Sequence, residues 1–305
     1  MNTELGDEAI EFGRQARRAI EAAGGDELLT AAVAEPATRE MPAGPLLAGL
    51  GAWELSPRTD PDDAEAAAAL CRAAGWWALP YPVAERLARP LDLDVDGLSV
   101  VAGPAPAAPL AGLELRWAVV DPDGNRSRVV GCGEPGDAFV TRLRLEPLDA
   151  AGAADLALAL VLPCWTLLGM LDRALELTVA HVRLREQFGR PLAEFQGVQF
   201  QLTDAEVDRS GLEMLAKHAL WSAVSGRPDA VEDALALRMA ALEAAETVLR
   251  VCHQLHGAVG FCDETTLSWI SRASQPLRRL PLGLSATRDL LTRRLGRRPL
   301  SGIYG

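Results

Sequence analysis

The sequence lacks the features that mark several common classes of protein. It has no basic excess, because 30 Lys and Arg face 42 Asp and Glu for a net charge of −12. A general nucleic-acid binder needs a basic face to neutralise phosphates, so this balance excludes that class. The five cysteines are odd in number and widely scattered, which does not suggest a disulfide framework. We therefore expect a protein of the reducing cytoplasm.

Signals for membranes are also missing from the sequence. No run of about 18 to 20 residues is apolar throughout, and the nearest one, residues 156–170, contains Pro163 and Thr166. The first seven residues are polar and acidic, unlike a secretory signal. We expect neither a membrane span nor export.

The composition that is present favours helix, because Ala and Leu dominate and β-branched residues are sparse outside one region. We predict a mainly α fold with a small β region, in three domains. They are an N-terminal helical domain at 1–90, a shortened middle β domain at 91–148 and a C-terminal four-helix bundle at 149–305.

Each predicted domain rests on a local pattern. The middle domain contains short β-type runs, which predict a small antiparallel sheet or half-barrel, at residues 98–101, 113–120, 127–130 and 138–145. An apolar spacing near 3.6 predicts the four bundle helices. The first ends at residue 188, and the other three cover residues 192–225, 229–255 and 285–295. Trp117 is expected on the buried face of the sheet.

Two motifs have the residue types and spacing of a ligand site but not the secondary structure that such a site requires. The segment Gly131-Cys132-Gly133-Glu134-Pro135-Gly136 matches Gly-x-Gly-x-x-Gly, but a dinucleotide fingerprint must open a helix. Residues 137–145 predict a strand instead, so we interpret the glycines as a hairpin loop.

The second motif places Cys252, His253 and His256 near Cys262, a set that could hold zinc. The first three belong to one predicted helix, while Cys262 follows a glycine-rich break. We interpret them as a core thiol and helix-end imidazoles and predict no metal site.

Residues 185–201 combine a helix end with unusual aromatic and amide content. One interpretation is a corner between helices, with Gly189 after the first helix and Pro191 beginning the next. The other is functional: Arg185 lies one turn before the predicted helix end, where a guanidinium can bind a diphosphate bidentately, and Gln196 and Gln199 add neutral donors.

A second glycine-rich helix end follows about 70 residues later, at residues 254–261. Gly257, Ala258 and Gly260 would let a ligand approach the backbone, and exposed N–H groups there suit an anion. Alone this is a glycine cap. Paired with the first segment in one helical bundle, it is a specific pattern.

The two segments carry a family resemblance. The residues concerned are Arg185-x-x-Phe188-Gly189-x-Pro191-Leu192, then Phe195-Gln196, then Gln254-x-x-Gly257-Ala258-x-Gly260-Phe261. They resemble the acyl-CoA dehydrogenase family, whose order of helical, β and helical regions is also similar. The resemblance implies that Arg185, Phe188, Gln254 and Gly257 contact the FAD of a neighbouring subunit. Ala258 stands where the family has a second glycine.

The family's catalytic glutamate is missing at both of its usual places. One place corresponds here to residues 279–283, Arg-Leu-Pro-Leu-Gly, and the other to Ala159. Asp155, one turn before Ala159, is the candidate substitute. The aromatic and hydroxyl-bearing loop that holds the flavin ring in the family is not evident in residues 91–148.

The resemblance therefore implies a partner role. We expect the base-less subunit of a heteromeric FAD-dependent acyl-CoA dehydrogenase, paired with a related catalytic chain as an α2β2 assembly. Such pairs act on bulky acyl-CoA thioesters, such as those of lipid or steroid side chains. Two alternatives stay open: a self-sufficient homomeric dehydrogenase, and a non-enzymatic helical assembly protein on the same fold.

Overall fold

Five helices form the N-terminal part of the computed structural model, which describes residues 4–296. They are α1 (Asp7–Ala22), α2 (Glu27–Ala34), α3 (Ala43–Gly49), α4 (Pro61–Trp76) and α5 (Val83–Leu87). The sequence determines the start of α4 locally: Pro61 is its first residue, and the Asp60 carboxylate accepts hydrogen bonds from the backbone N–H groups of Asp62 and Asp63.

Seven short strands are present in the described part of the chain. They are β1 (Gly97–Val100), β2 (Ala107–Ala108), β3 (Trp117–Val120), β4 (Arg126–Cys132), β5 (Thr141–Asp149), β6 (Glu186–Gln187) and β7 (Arg190–Pro191). The first five form one sheet in the order β1-β3-β4-β5-β2, and β6 and β7 form a separate pair. Trp117 is buried in β3, as predicted.

The prediction of an antiparallel sheet is wrong for one pair. β1 pairs with β3 in parallel, while β3–β4, β4–β5 and β2–β5 are antiparallel. Residues 101–116 leave one edge of the sheet, add β2 at the other edge and return, so β3 runs in the same direction as β1. A parallel pair requires such a crossover.

The glycine-rich segment at 131–136 connects two strands, as the hairpin interpretation predicts. It runs from the end of β4 into a 3₁₀ turn, Asp137–Phe139, and then into β5. No α-helix follows it, which confirms that the segment does not have the context of a dinucleotide fingerprint.

The C-terminal helices confirm a mainly helical fold with a small sheet. They are α6 (Ala153–Leu184), α7 (Gln196–Val224), α8 (Ala230–His256), α9 (Thr266–Ala273), α10 (Gln275–Arg279) and α11 (Leu284–Leu295). The sequence did not predict α9 and α10, because helices of eight and five residues are too short for a clear apolar spacing. Leu267 and Ile270 bury one face of α9.

α6 is the central helix of the packing, since it contacts α4, α7 and α8. Two glycines bring α4 and α6 into backbone contact: a Cβ on Gly75 would overlap the carbonyl of Thr166, and one on Gly169 would overlap that of Arg72. Of the helices within residues 4–296, α6 alone is long and apolar enough to cross a membrane by length and composition. Its most apolar window is 83% buried inside the protein, as in a core helix.

Candidate functional site

The first predicted motif lies at the end of α6. The helix ends at Leu184, four residues earlier than the sequence predicts, because Arg185 is already extended with φ −78° and ψ 118°. The chain then reverses through β6 and β7, where Phe188 and Gly189 have φ of 54° and 79°. The N–H of Leu192 donates to the carbonyl of Arg185 and closes the turn.

The side chains of this motif point into open space. The guanidinium of Arg185 is exposed and forms no hydrogen bond or ion pair with the described residues. The ring of Phe188 is 92% exposed and touches only the edge of Phe195, with the ring centroids 6.3 Å apart. Gln196 is the exposed first residue of α7. Such a set is available to a ligand or to another chain.

The second predicted motif lies at the end of α8. Gln254, Gly257 and Ala258 are exposed, and Gly257 has φ 63°, which favours glycine. No atom of this chain lies within 4 Å of a Cβ built there, so nothing in the chain itself requires the small residue. The N–H of Gly257 donates to the carbonyl of His253, so this donor is already used and is not free for an anion.

The structure brings the two motifs together through a pair of histidines. His181, in the last turn of α6, stacks on His256, in the last turn of α8, with ring centroids 4.4 Å apart. Burial lowers the pKa of both imidazoles, and for His181 the neighbouring His256 and Arg185 lower it further. Both rings are therefore neutral at neutral pH, which allows them to stack.

The surface around these helix ends is unusually apolar. Its exposed residues, which we call the helix-end surface, are Leu184, Arg185, Phe188, Gln254, Gly257, Ala258, Val259 and Phe261. Beside it, α7 exposes Phe200, Val207 and Met214, spaced seven residues apart on one face, which we call the α7 stripe. Exposed apolar patches of this kind mark contacts with ligands or other chains.

The cysteines and histidines whose spacing could hold zinc also lie in this region, in different environments. Cys252 is buried and burial raises the pKa of its thiol to about 11, whereas Cys262 is exposed beyond a 3₁₀ turn. The Nδ1 of His256 lies 2.9 Å from the carbonyl oxygen of Cys252 and is engaged there.

A second candidate site is a cavity of about 660 Å³. It lies between three layers of the fold, which are the N-terminal helices, the sheet region and the C-terminal helices. We call it the interlayer cavity. Its wall combines residues of α2, the loop before α5, α5 itself, the 3₁₀ turn before β5, α6, α9 and α10. Most of this wall is apolar, as expected for a small-molecule site.

Strained backbone is concentrated at these two places. Four non-glycine residues among those described have positive φ. Three of them, Ala78, Ala138 and Phe139, line the interlayer cavity, and the fourth is Phe188 in the first motif. Strained conformations cost free energy and persist mainly where function or tight packing requires them.

One buried cation organises the cavity wall. Arg39 donates to the carbonyl oxygens of Pro80 at 2.8 Å, Pro109 at 3.0 Å and Ala111. Its guanidinium lies 4.1 Å from the ring centroid of Phe139. Burial lowers the pKa of Arg39 to about 10, so the side chain is still charged at neutral pH.

Two acids line the cavity, Glu85 and the exposed Asp137. Glu85, on α5, is half-buried, and burial raises the pKa of its carboxyl group although the charge of Arg39 opposes this. Sequence reasoning missed both Arg39 and Glu85. The only available signal was local: Glu85 is the one acid within the apolar stretch at 79–90.

The two positions that correspond to the catalytic glutamate of the acyl-CoA dehydrogenase family lie next to this cavity. Ala159, Leu280 and Pro281 line an adjoining cavity of about 40 Å³, and Glu85 lines both cavities. Neither position carries an acid. Arg238 holds the second position in place by donating to the carbonyl oxygens of Leu277, Leu280 and Leu282.

Asp155, the candidate substitute base, lies elsewhere. It is buried and forms ion pairs with Arg58 at 3.0 Å and Arg126 at 3.4 Å. Burial raises its pKa, and the two arginines oppose that shift. Asp155 is not among the residues that line either of the two cavities described above. The structure gives it a role in joining α6 to the sheet, and its catalytic role stays a prediction.

Arg185, at one end of the helix-end surface, lies far from the part of the interlayer cavity that α6 lines. Arg185 follows the cavity residue Met170 by 15 positions along α6, which is about 22 Å at 1.5 Å per residue. A guanidinium at the end of the helix therefore cannot reach a small ligand inside the cavity beside Met170.

Comparison with known proteins now identifies the C-terminal region. A family model for the acyl-CoA dehydrogenase C-terminal domain matches residues 155–283. This part of the chain, less than half of its length, is therefore similar to the acyl-CoA dehydrogenase C-terminal domain. Among curated proteins it is similar to the (R)-benzylsuccinyl-CoA dehydrogenase of Thauera aromatica, with 27% identity over 185 residues. That match covers 60% of this chain and 41% of the relative, so the chain spans less than half of that relative's length.

Solved structures extend the likeness to the whole acyl-CoA dehydrogenase fold. The ChsE4-ChsE5 complex of Mycobacterium tuberculosis matches with a TM-score of 0.74 at 20% identity, over 98% of this chain and 100% of that one. The Tcur3481-Tcur3483 steroid acyl-CoA dehydrogenase variant matches with 0.75 at 22%, over 95% and 98%. PigA with FAD and proline matches with 0.71 at 16%, over 98% and 100%. At these identities the likeness establishes the fold.

Proposed function

We propose that this chain is a subunit of a FAD-dependent acyl-CoA dehydrogenase, the partner that completes the FAD site of a related catalytic chain in an α2β2 assembly. The observation that carries the proposal is the position of the helix-end surface. It is exposed and largely apolar, and its cation, Arg185, lies about 22 Å along α6 from the cavity residue Met170 of its own chain. A surface so placed is suited to serve another subunit.

The residues present fit a flavin nucleotide. Arg185 has an uncommitted guanidinium, the group best suited to bind a diphosphate bidentately. The exposed ring of Phe188 offers a stacking surface, and Gln254 and Gln196 offer amide donors. Gly257 and Ala258 leave the backbone open to close approach.

Bound FAD would supply a hydride acceptor for α,β-dehydrogenation of an acyl-CoA thioester. The residues of this chain would anchor the nucleotide and exclude water, through the apolar residues around Arg185. They would not remove the α-proton from either family position, since Ala159 and residues 279–283 carry no acid. The proton acceptor then belongs to the catalytic partner.

The substrate class follows from the cavity and from the similar structures. A cavity of about 660 Å³ is large for a short acyl chain. One of the similar structures is a two-chain steroid acyl-CoA dehydrogenase. We therefore assign a bulky acyl-CoA thioester, of the kind that steroid or lipid side chains form, and a cytoplasmic site of action.

The test is co-expression with the dehydrogenase chain encoded next to it. The two chains should purify together with the visible absorbance of bound flavin. Arg185→Ala should weaken flavin retention roughly ten- to a hundredfold, because it removes a charge-assisted contact. Gln254→Ala should act in the same direction.

The matched control is Arg183→Ala, an exposed arginine in the same last turn of α6 that should leave flavin retention unchanged. Two outcomes would replace the proposal. A chain that purifies alone, yellow and fully active with an acyl-CoA and a dye, is a self-sufficient dehydrogenase. A chain that retains no flavin in any combination is a non-enzymatic assembly protein.

A further inference from the structure

Glu85 has hydrogen-bonding capacity that the protein itself does not use. Its carboxyl group has a hydrogen bond from its own backbone N–H, and it forms no ion pair and no side-chain hydrogen bond with another described residue. The charge of Arg39 acts on the pKa of Glu85, but the N–H donors of Arg39 already bind the carbonyl oxygens of Pro80, Pro109 and Ala111. An acid in apolar surroundings is costly unless it is paired.

The setting of Glu85 is a built polar spot in an apolar cavity. The adjoining 40 Å³ cavity also contains Ser99, Arg238 and Ala159. The carbonyl of Ala159 has no helical donor, because Pro163 stands four residues later in α6 and has no N–H. A space of this size and polarity holds about one water molecule. A ligand hydroxyl or carbonyl oxygen can take the place of that water.

We propose that Glu85 is a specificity-determining residue, the polar subsite for an apolar ligand that carries a hydroxyl or carbonyl group. The ligand body lies in the interlayer cavity and its oxygen lies between Glu85 and the small adjoining cavity. The identification of that ligand as an oxygenated acyl group rests on the proposed function. The subsite itself rests only on the cavity and its acid.

Protonated Glu85 can donate to a carbonyl oxygen or a hydroxyl, and ionised Glu85 can accept from a hydroxyl. A plain hydrocarbon in the same position leaves the acid without a partner. A site that is built to pair with a ligand oxygen therefore discriminates against the isostere that lacks it. The strained 3₁₀ turn at Ala138 and Phe139 keeps the opposite wall in place.

The test uses two small probes of similar shape, benzyl alcohol and ethylbenzene, titrated into the purified chain and followed by calorimetry. The Kd of ethylbenzene divided by the Kd of benzyl alcohol should be about tenfold larger in the wild type than in Glu85→Leu, since the variant loses one buried hydrogen bond. Glu85→Gln should keep the preference, because an amide can donate and accept. Glu54→Leu, an exposed acid outside the cavity, is the matched control.

A second measurement needs no folded leucine variant. In the wild type labelled with ¹³C at glutamate carboxyls, benzyl alcohol should shift the Glu85 resonance, assigned through Glu85→Gln, and ethylbenzene should shift it less. An equal Kd ratio in wild type and Glu85→Leu, an unperturbed carboxyl signal, or no binding of either probe would overturn the proposal. The probes carry neither nucleotide nor CoA, so this outcome is independent of the flavin test for the proposed function.

Discussion

Single residues hold the walls of the interlayer cavity in place. Arg39 ends the 3₁₀ turn after α2, yet it donates to the carbonyl of Pro80 in the loop before α5 and to those of Pro109 and Ala111 between β2 and β3. Its planar fork holds Nε, Nη1 and Nη2 in fixed positions against three separate acceptors, a spread that the compact ammonium of lysine does not match. The residue therefore connects segments that are distant in sequence.

We expect Arg39→Met to lower the free energy of unfolding by about 2–4 kcal/mol, because three buried carbonyls lose charged donors. Arg39→Lys should recover part of this loss. Urea denaturation followed by circular dichroism measures the effect. Arg14→Met, which changes an exposed arginine paired only with Glu11, should change stability by less than about 0.5 kcal/mol. Equal effects at both positions would contradict the role given to Arg39.

The sequence predicted one class of site residue and missed the other. Arg185, Phe188, Gln254 and Gly257 were predicted as FAD contacts from a family resemblance that two helix ends carry in local motifs, and their role stays a prediction. Glu85 was missed because its neighbours Ala159 and Leu280 are more than 70 residues away in sequence. Their meeting depends on how three layers pack, and no local pattern encodes it.

At the scale of elements, α4 and α6 pack through glycine. Gly169 faces the carbonyl of Arg72, and Gly75 faces that of Thr166, so the two backbones lie closer than side chains would allow. This contact places the cavity residues Thr166 and Met170 of α6 against the N-terminal layer. The packing is thus specified by the absence of a methyl group at two positions.

Gly169→Ala should destabilise the chain by about 1–3 kcal/mol, because the new methyl group overlaps a backbone oxygen that cannot move away freely. Thermal unfolding of the purified chain measures this. Gly211→Ala is the control: it lies inside α7 with no atom within 4 Å of the new Cβ, and helix propensity should raise stability by about 0.5–1 kcal/mol. A stabilising effect at Gly169 would show that the helices do not pack as described.

An ion-pair cluster joins α4 to α7. Glu213 accepts from Arg72 at 3.1 and 3.2 Å and from Arg209 at 2.8 Å. Burial pushes the pKa of Glu213 upward, but the hydrogen bond and charge of Arg72, with Arg209 and Lys217, lower it from 4.5 to about 2. The stability that this carboxylate contributes is complete above pH 4.5 and is lost as the pH falls towards 2.

Glu213→Gln should therefore lower the free energy of unfolding by about 1–3 kcal/mol at pH 7, because two arginines lose a charged acceptor. The difference from the wild type should shrink as the pH falls from about 4.5 to about 2, where the wild-type side chain is itself protonated. Denaturation curves across that range provide the measurement. A difference that persists at the lowest pH would assign the effect to packing and not to charge.

The elements themselves were partly predictable. The long helices α6, α7 and α8 were found within a few residues, because apolar spacing is informative over long segments. α9 and α10 were missed, and α6 was predicted to continue to residue 188. At that end the turn through β6 and β7 overrides the propensity of the preceding residues, because the N–H of Leu192 bonds to the carbonyl of Arg185.

For the whole molecule, the α7 stripe is the feature that the single chain does not explain. Phe200, Val207 and Met214 are exposed by 59%, 63% and 49%, next to the exposed helix-end surface. Under the proposed function this face meets the catalytic chain. The partner would cover the stripe and place its nucleotide against Arg185 in one arrangement.

Val207→Arg should split the assembly, because a charge in the centre of an apolar interface loses its water without gaining a partner. Size-exclusion chromatography with light scattering on the co-expressed pair should show smaller species and reduced flavin. Val130→Arg on β4, which changes another exposed valine outside the stripe, should leave the assembly intact. An unchanged assembly with Val207→Arg would move the interface elsewhere.

The overall order of helical, β and helical regions was predictable because composition changes along the chain. The direction of β3 beside β1 was not, since it follows from the path of residues 101–116 across the sheet. The interlayer cavity was also not predictable, because its wall is assembled from segments between Leu29 and Leu280.

α6 adds a geometric consequence, because it carries cavity residues and the Arg185 end on one unbroken helix of 32 residues. The angular phase of the helix sets the direction in which its last turn points. One extra residue inserted after Met170 would turn everything beyond it by about 100° and swing Arg185 to a different azimuth. Seven extra residues, close to two full turns, would restore the direction in which Arg185 points and only lengthen the helix.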